Sequence, residues 1–374
     1  MDNPFKKIFS EGLAYFQSGA SSDSVVGIDI GSSSIKAVQL KKKGGKALIE
    51  TYGAIALGPY AQLEVGQTTN LPVEQLAVAV RDVMRESGIT TNNGAFSIPS
   101  SGSLVFLIEL PGSIKEDQLP TIIPTEARKY IPVPVSEVSL DWWVIPRKDA
   151  SSYDDMGQPV EAKIEVLVVA IQNDVVSKYK DVVKRADVTA GFFEIEIFSQ
   201  MRATIGHDLS PVLIIDFGAS KTKLTIVEYG IARYSHVINR GSHDISNTLC
   251  KSLNVTFGKA EEMKREFGMY GSPTDKNISE IIKLSVDYVL SETNNVVLNY
   301  ERKYNKVISK VILSGGGSML KGFPEAAKDA FRAEVVLANP FSKVEAPAFL
   351  APVLESVGPE FAVALGLAIR KLQQ

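Results

Sequence analysis

The sequence predicts an α/β protein of two related lobes carrying a smaller strand-helix-strand-strand insertion, and three observations lead there. From Ser24 onward, short apolar runs of strand length alternate with longer segments of helical periodicity. One run, Ile28-Asp-Ile-Gly-Ser-Ser-Ser-Ile-Lys36, is echoed by Ile215-Asp-Phe-Gly-Ala-Ser-Lys-Thr-Lys223, and each copy opens a new compact stretch. The 374 residues exceed what one ordinary domain needs, so two lobes can each bury a core.

The elements follow in chain order. Residues 1–23 form a separate arm, with Phe5, Ile8, Phe9, Leu13 and Phe16 at helical spacing and a small-residue linker behind them. Docking on its own body, on a partner or on a membrane surface all remain open for it. Strands are expected at 25–30, 35–40 and 46–56 around a Gly44-Gly45 turn, a helix at 71–87 behind Pro72, and a strand at 95–98 ending at Pro99. Three further strands, at 104–110, 140–147 and 163–171, with a helix at 118–130 and a polar connection at 149–159, make the insertion. Pro120 and Pro124 fall in that helix, and proline costs about 3 kcal/mol in a helix interior, so a later start is expected. Amphipathic helices at 175–186 and 194–205 lead to the second lobe, which opens at Pro211, and a core helix at 361–369 closes the chain.

Composition narrows the function. Forty basic against 43 acidic side chains, a net charge of −3 and 45% hydrophobic residues exclude a disordered chain, collagen and a polybasic nucleic-acid binder. A lone Cys250 cannot close an internal disulfide, and His207, His236 and His243 lack metal-ligand spacing. The longest clean apolar run, 361–369, is well short of the roughly twenty residues that span a bilayer. Glu11 interrupts what would be a secretory apolar segment after Lys6 and Lys7, so a cytoplasmic location is expected.

The repeated motif carries the chemistry. In each copy a strand delivers an aspartate (Asp29, Asp216), and a glycine (Gly31, Gly218) then permits a tight turn tipped with small residues. Backbone N–H groups of such a turn can converge on phosphate oxygens, with hydroxyls adding donors. The carboxylates suit a hydrated Mg²⁺, which takes oxygen ligands and keeps several waters. Two such turns facing each other would grip one nucleotide's phosphates. Gly315-Gly316-Gly317, at the end of an apolar strand, lets a flat nucleoside approach the backbone. Glu261 and Lys264 share a helix face that could reach its ribose or adenine edge.

These motifs, in this order across about 350 residues, resemble the actin-like ATPase superfamily. Within it, the stretch from Glu109-Leu-Pro-Gly through Glu126-Ala-Arg-Lys-Tyr-Ile-Pro-Val-Pro to Leu140-Asp-Trp resembles the PilM family of type IV pilus assembly proteins, relatives of FtsA. The resemblance implies an actin-like, ribonuclease H-like two-lobe fold with an FtsA/PilM-type insertion. Its implied divisions are the arm at 1–23, lobe 1 at 24–102 with 174–209 and 345–374 returning to it, the insertion at 103–173, and lobe 2 at 210–344 with its own inserted part at about 242–304. It implies ATP held by Gly31, Ser32, Ser33 and Lys36 on one side and Gly218, Ala219, Thr222 and Gly241 on the other. Gly315, Gly316, Gly317, Glu261 and Lys264 would take the nucleoside, Asp29 and Asp216 the Mg²⁺ side, and Glu196 the place of a water-orienting acid. The partner it implies is the N-terminal cytoplasmic peptide of the inner-membrane protein PilN, seated in a groove between lobe 1 and the insertion.

Departures from the pattern shape the expectation. The second loop reads Gly-Ala-Ser-Lys rather than a glycine-rich run, which favours nucleotide binding over rapid turnover. A sugar or acetate-type kinase of the same superfold would need an acceptor pocket with a general base, and no residue outside the nucleotide set supplies one. The apolar face of Leu140, Trp142 and Val144 suits protein contact or alternating core packing. An FtsA-like division filament would anchor through an amphipathic tail, whereas the sequence stops at Arg370-Lys-Leu-Gln-Gln374.

Overall fold

Residues 24–146, 163–272 and 276–374 are described by a computed structural model. The arm expected at 1–23 and the polar connection expected at 149–159 lie outside the described residues. Strands β1 (Ser24–Ile30), β2 (Ser34–Lys43) and β3 (Lys46–Ala56) form an antiparallel meander. Gly44 and Gly45 turn it with φ of 59° and 79°, angles that a side chain would resist. Helix α1 (Val73–Glu86) follows Pro72, and β4 (Asn93–Ile98) stops at Pro99. The insertion consists of β5 (Ser103–Pro111), α2 (Leu119–Ala127), β6 (Val138–Val144) and β7 (Lys163–Gln172). The chain returns through α3 (Asn173–Ala186), β8 (Thr189–Ile195) and α4 (Glu196–Thr204). Then come β9 (Val212–Phe217), β10 (Thr222–Glu228), β11 (Ile231–Ile238), α5 (Ser242–Leu253), α6 (Phe257–Phe267) and α7 (Lys276–Tyr304). The last elements are β12 (Lys310–Ser314), α8 (Phe323–Ala330), β13 (Glu334–Leu337) and α9 (Ala351–Gln373).

The sheets show the repeat in three dimensions. One has the order β3-β2-β1-β4-β8, the other β11-β10-β9-β12-β13. In each, the motif-bearing strand pairs antiparallel with its hairpin mate on one side and parallel with a later strand on the other. The registers agree as well: Asp29 lies opposite Lys36, and Asp216 opposite Lys223. Each sheet buries its own apolar cluster, with Ile28, Phe96 and Val80 in the first and Ile215, Leu313 and Val286 in the second.

The insertion is a third sheet, β5-β7-β6. Its central strand β7 is buried on both faces. Val166, Val168 and Ala170 meet Ile123 and Ala127 of α2, while Leu167, Val169 and Ile171 join the first sheet's core. That double burial explains an unbroken apolar run where a half-exposed strand would alternate with polar residues. Leu140, Trp142 and Val144 are half-buried and pack toward the α2 side, as alternating core positions do.

Four expectations are corrected. Helix α2 starts one residue after the expected position, with Pro120 in its first turn, where the missing N–H has no partner to lose. It ends at Ala127, one turn past Pro124, rather than at residue 130. The helix expected from 194 begins at Glu196, because Thr189–Ile195 is a strand. Glu194, on that strand, is buried, with Arg202 at 2.8 Å and Arg370 at 2.5 Å. The closing helix runs over 23 residues with Pro359 inside it, and together with the turn before it is long and apolar enough to cross a membrane. Phe361, Ala364, Leu365 and Ala368 instead pack on Val25, Val38 and Leu40, as a core helix does. Its approach to β1 is so close that a Cβ on Gly27 would collide with the Ala364 carbonyl.

Candidate functional site

Both repeated turns open into one cleft of about 540 Å³ between the two five-stranded sheets. They are built alike. Gly31 N–H donates to the Ser34 carbonyl at 3.0 Å, and Gly218 N–H donates to the Lys221 carbonyl at 3.0 Å. Neighbouring backbone then fixes each turn from behind. On the first, Thr69 and Leu57 N–H groups bond the carbonyls of Ser32 and Ser33. On the second, Ser242 and His243 N–H groups bond those of Gly218 and Ala219.

The cleft gathers Asp29, Gly31, Ser32, Ser33, Lys36, Glu196, Asp216, Gly218, Ala219, Glu261, Lys264, Gly315, Gly316 and Gly317 along its wall. Thr222 and Gly241 stand behind that wall. The Thr222 hydroxyl donates to the Arg240 carbonyl at 2.8 Å, and a Cβ on Gly241 would strike the Ala219 carbonyl, so both residues set the shape of the second turn.

On the first wall, the Ser97 hydroxyl donates to Asp29 at 2.7 Å. Burial raises the Asp29 carboxyl above the ordinary carboxylate range, and the neighbouring Glu196 charge adds to this against the pull of Lys36. Lys36 reaches across to Glu360 of α9 at 3.3 Å. On the second wall, Lys223 Nζ lies 3.0 Å from Asp216 and 2.6 Å from Glu196. The other oxygen of Glu196 accepts from Ser100 N–H at 2.6 Å, so both its oxygens are engaged. Burial disfavours the charged forms of Glu196 and Lys223 alike. Their mutual attraction wins: Glu196 sits below its ordinary value, and Lys223, pulled mainly by Asp216 and then by Glu196, sits above its own.

At the far end, Glu261 accepts from Lys264 and from the Ser246 hydroxyl, both at 2.6 Å, and from Arg265 at 2.8 Å. Despite burial, the Lys264 charge keeps its carboxyl below the usual range. The glycine run supplies a side-chain-free wall. Gly315 has φ of 80°, and a Cβ there would collide with the Asp216 carboxylate, so glycine is required. A Cβ on Gly316 would have nothing nearer than Glu360 at 3.7 Å, which leaves room for a flat group.

Sequence reading missed Glu360 and Lys223. Glu360 carries no local signal, since it comes from the far end of the chain. Lys223 does carry one: it holds in the second copy the place Lys36 holds in the first. A divalent ion coordinated directly by both Asp216 and Glu196 would have to displace Lys223, because those carboxylates already share its ammonium at 3.0 and 2.6 Å. Among the described residues no cluster of three or more histidine, cysteine or acidic side chains has metal-binding geometry.

Comparison with known proteins places this geometry. A solved PilM-PilN type IV pilus biogenesis complex superposes with a TM-score of 0.78 at 21% identity, covering 94% of this chain and 99% of that one. MreB 5 of Spiroplasma citri bound to AMPPNP gives a TM-score of 0.51 at 12% identity, over 93% and 96% of the two chains. Among curated sequences, the cell division protein FtsA of Staphylococcus epidermidis is 22% identical over 359 residues, 84% of this chain and 74% of that protein. The FtsA of Helicobacter pylori is 26% identical over 196 residues, 45% of this chain. That match spans 39% of the Helicobacter pylori protein's length, and one to the FtsA of Enterococcus faecalis spans 33%. The fold is thus the actin-like two-lobe α/β fold that the repeated turns implied. The family model described as type IV pilus assembly protein PilM matches residues 27–372, and the chain belongs to that family.

Proposed function

We propose that this protein is an ATP-binding cytoplasmic platform of the type IV pilus machine, which binds the N-terminal cytoplasmic peptide of PilN and is held at the inner membrane through it. The nucleotide reading rests on one observation: two turns with the same internal hydrogen bond open into one cleft from opposite sheets. Gly31, Ser32, Ser33 and Lys36 would hold the phosphates from one side, and Gly218 and Ala219, shaped by Thr222 and Gly241, from the other. Gly315, Gly316 and Gly317 would back the nucleoside, with Glu261 and Lys264 beside it. ATP binding rather than fast hydrolysis suits this arrangement, since a Glu196 with both oxygens engaged is poorly placed to orient a water. Mg²⁺ was expected beside Asp29 and Asp216; the Asp216 side of that expectation meets Lys223 instead.

The peptide seat has its own support. A second cavity of about 230 Å³ lies between Ser100–Gly102 and insertion residues such as Ile131, Val133 and Val138, with Lys221, Val237 and Asn239 closing its third side. Ser100, Ser101, Lys221 and Val237 line both cavities. A ligand ordering these shared residues in one cavity changes the other, so the two affinities should be linked reciprocally. Calorimetry with a PilN N-terminal peptide tests this: ATP should tighten peptide binding by roughly 5- to 150-fold, the span of typical coupling energies. Peptide affinity identical with and without ATP contradicts the coupling, and absent peptide binding contradicts the partner.

A further inference from the structure

We propose that Lys223 is a built-in counter-ion standing where a divalent metal would otherwise be needed, so that this cleft binds a nucleoside triphosphate without Mg²⁺. The inference rests on the nucleotide reading above and goes beyond it.

Lys223 is placed by the strand ladder. It sits directly opposite Asp216 on the neighbouring antiparallel strand, a register that brings the two side chains to the same face. From there its ammonium also reaches Glu196 at the start of α4, at 2.6 Å, which makes it the bridge between two elements of the cleft wall. The side-chain exposures are 22% for Lys223, 8% for Asp216 and 9% for Glu196, so the three form a buried, hydrogen-bonded ion triad open on one side to the cavity.

Charge explains what the triad does. Without Lys223, Asp216 and Glu196 would join Asp29 in presenting three carboxylates to an incoming triphosphate, with Lys36 on the first wall left to offset them. With Lys223 in place, two of those carboxylates share an internal cation, and the ammonium can offer a further N–H to a phosphate oxygen. Mg²⁺ demands oxygen ligands at 2.0–2.1 Å in near-octahedral array. Bound directly to Asp216 and Glu196, such an ion would overlap the space of the ammonium; bound through its waters, it would bring a second cation to carboxylates that Lys223 already serves.

The test measures ATP affinity of the full chain by calorimetry, once with Mg²⁺ and once with EDTA. Wild type is expected to bind in both buffers with dissociation constants within about threefold of each other. Lys223→Met is expected to lose about tenfold or more of its affinity in EDTA and to recover most of it in Mg²⁺. Should Lys223→Met fold poorly, thermal melting of the nucleotide-free protein answers the same question. Mg²⁺ should raise the melting temperature of Lys223→Met and leave wild type and Lys223→Arg unchanged. Wild-type binding that appears only with Mg²⁺ overturns the inference while leaving the nucleotide site intact. No binding in either buffer overturns the nucleotide reading itself, and the inference falls with it.

Discussion

Asp29 shows what the cleft costs the folded protein. Its carboxyl is buried and pushed above the ordinary range, mainly by loss of hydration and further by Glu196. A carboxyl whose folded-state value lies above its unfolded one binds protons more tightly when folded. Its charge therefore destabilises the fold at neutral pH, and the penalty fades as pH falls through the raised value. Asp29→Asn should accordingly raise the melting temperature of the nucleotide-free protein at pH 7, with the advantage shrinking toward acid pH. An unchanged or lowered melting temperature at pH 7 would contradict the burial argument. Lys223 and Glu196 behave oppositely. Glu196 is held below its ordinary value, so its contribution is present at neutral pH and is lost only as pH falls below the usual carboxyl range. Most of the cleft's residues were legible in the sequence because they stand in short runs around the two aspartates. Lys223 was legible in principle, through its match to Lys36, but its role depends on Glu196, a residue from another element that only the fold brings near.

Elements were read correctly where one signal dominated and misread where two competed. The strands around the two turns are short, apolar and bounded by glycine, and they form as expected. Strand β8 was missed because its sequence, Thr-Ala-Gly-Phe-Phe-Glu-Ile, mixes a glycine and an acid into the alternation. The acid is tolerated inside only because Arg202 and Arg370 arrive from α4 and α9. Helix α9 extends well beyond its cleanly apolar centre, since the first sheet gives its whole inner face something to pack on. The crossing of α9 over β1 is where this packing is tightest. Gly27→Ala should destabilise the protein by about 1–3 kcal/mol, as inserted methyl groups do in filled cores, because backbone rather than a flexible side chain blocks the space. Urea unfolding measures it through a lower midpoint; a midpoint matching wild type would show that the two elements can separate without loss.

At the scale of the whole molecule, duplication is the organising fact. Two sheets of the same strand plan face each other, each presenting an aspartate, a tight turn and a lysine across the ladder, and the differences between the copies carry the specialisation. In the first copy the lysine reaches a half-buried partner, Glu360, at 3.3 Å; in the second it is held between two buried carboxylates. The insertion then adds a second cavity that shares residues with the first, and on the function proposed above this sharing is what would couple nucleotide to partner.

Amide hydrogen exchange during ATP titration tests the shared clasp most directly. Peptides covering residues 31–34 and 218–221 should become protected together, at the same ATP concentration and with one nucleotide bound per chain. Protection confined to one turn, or absent from both at saturating ATP, would contradict a single nucleotide held from opposite walls.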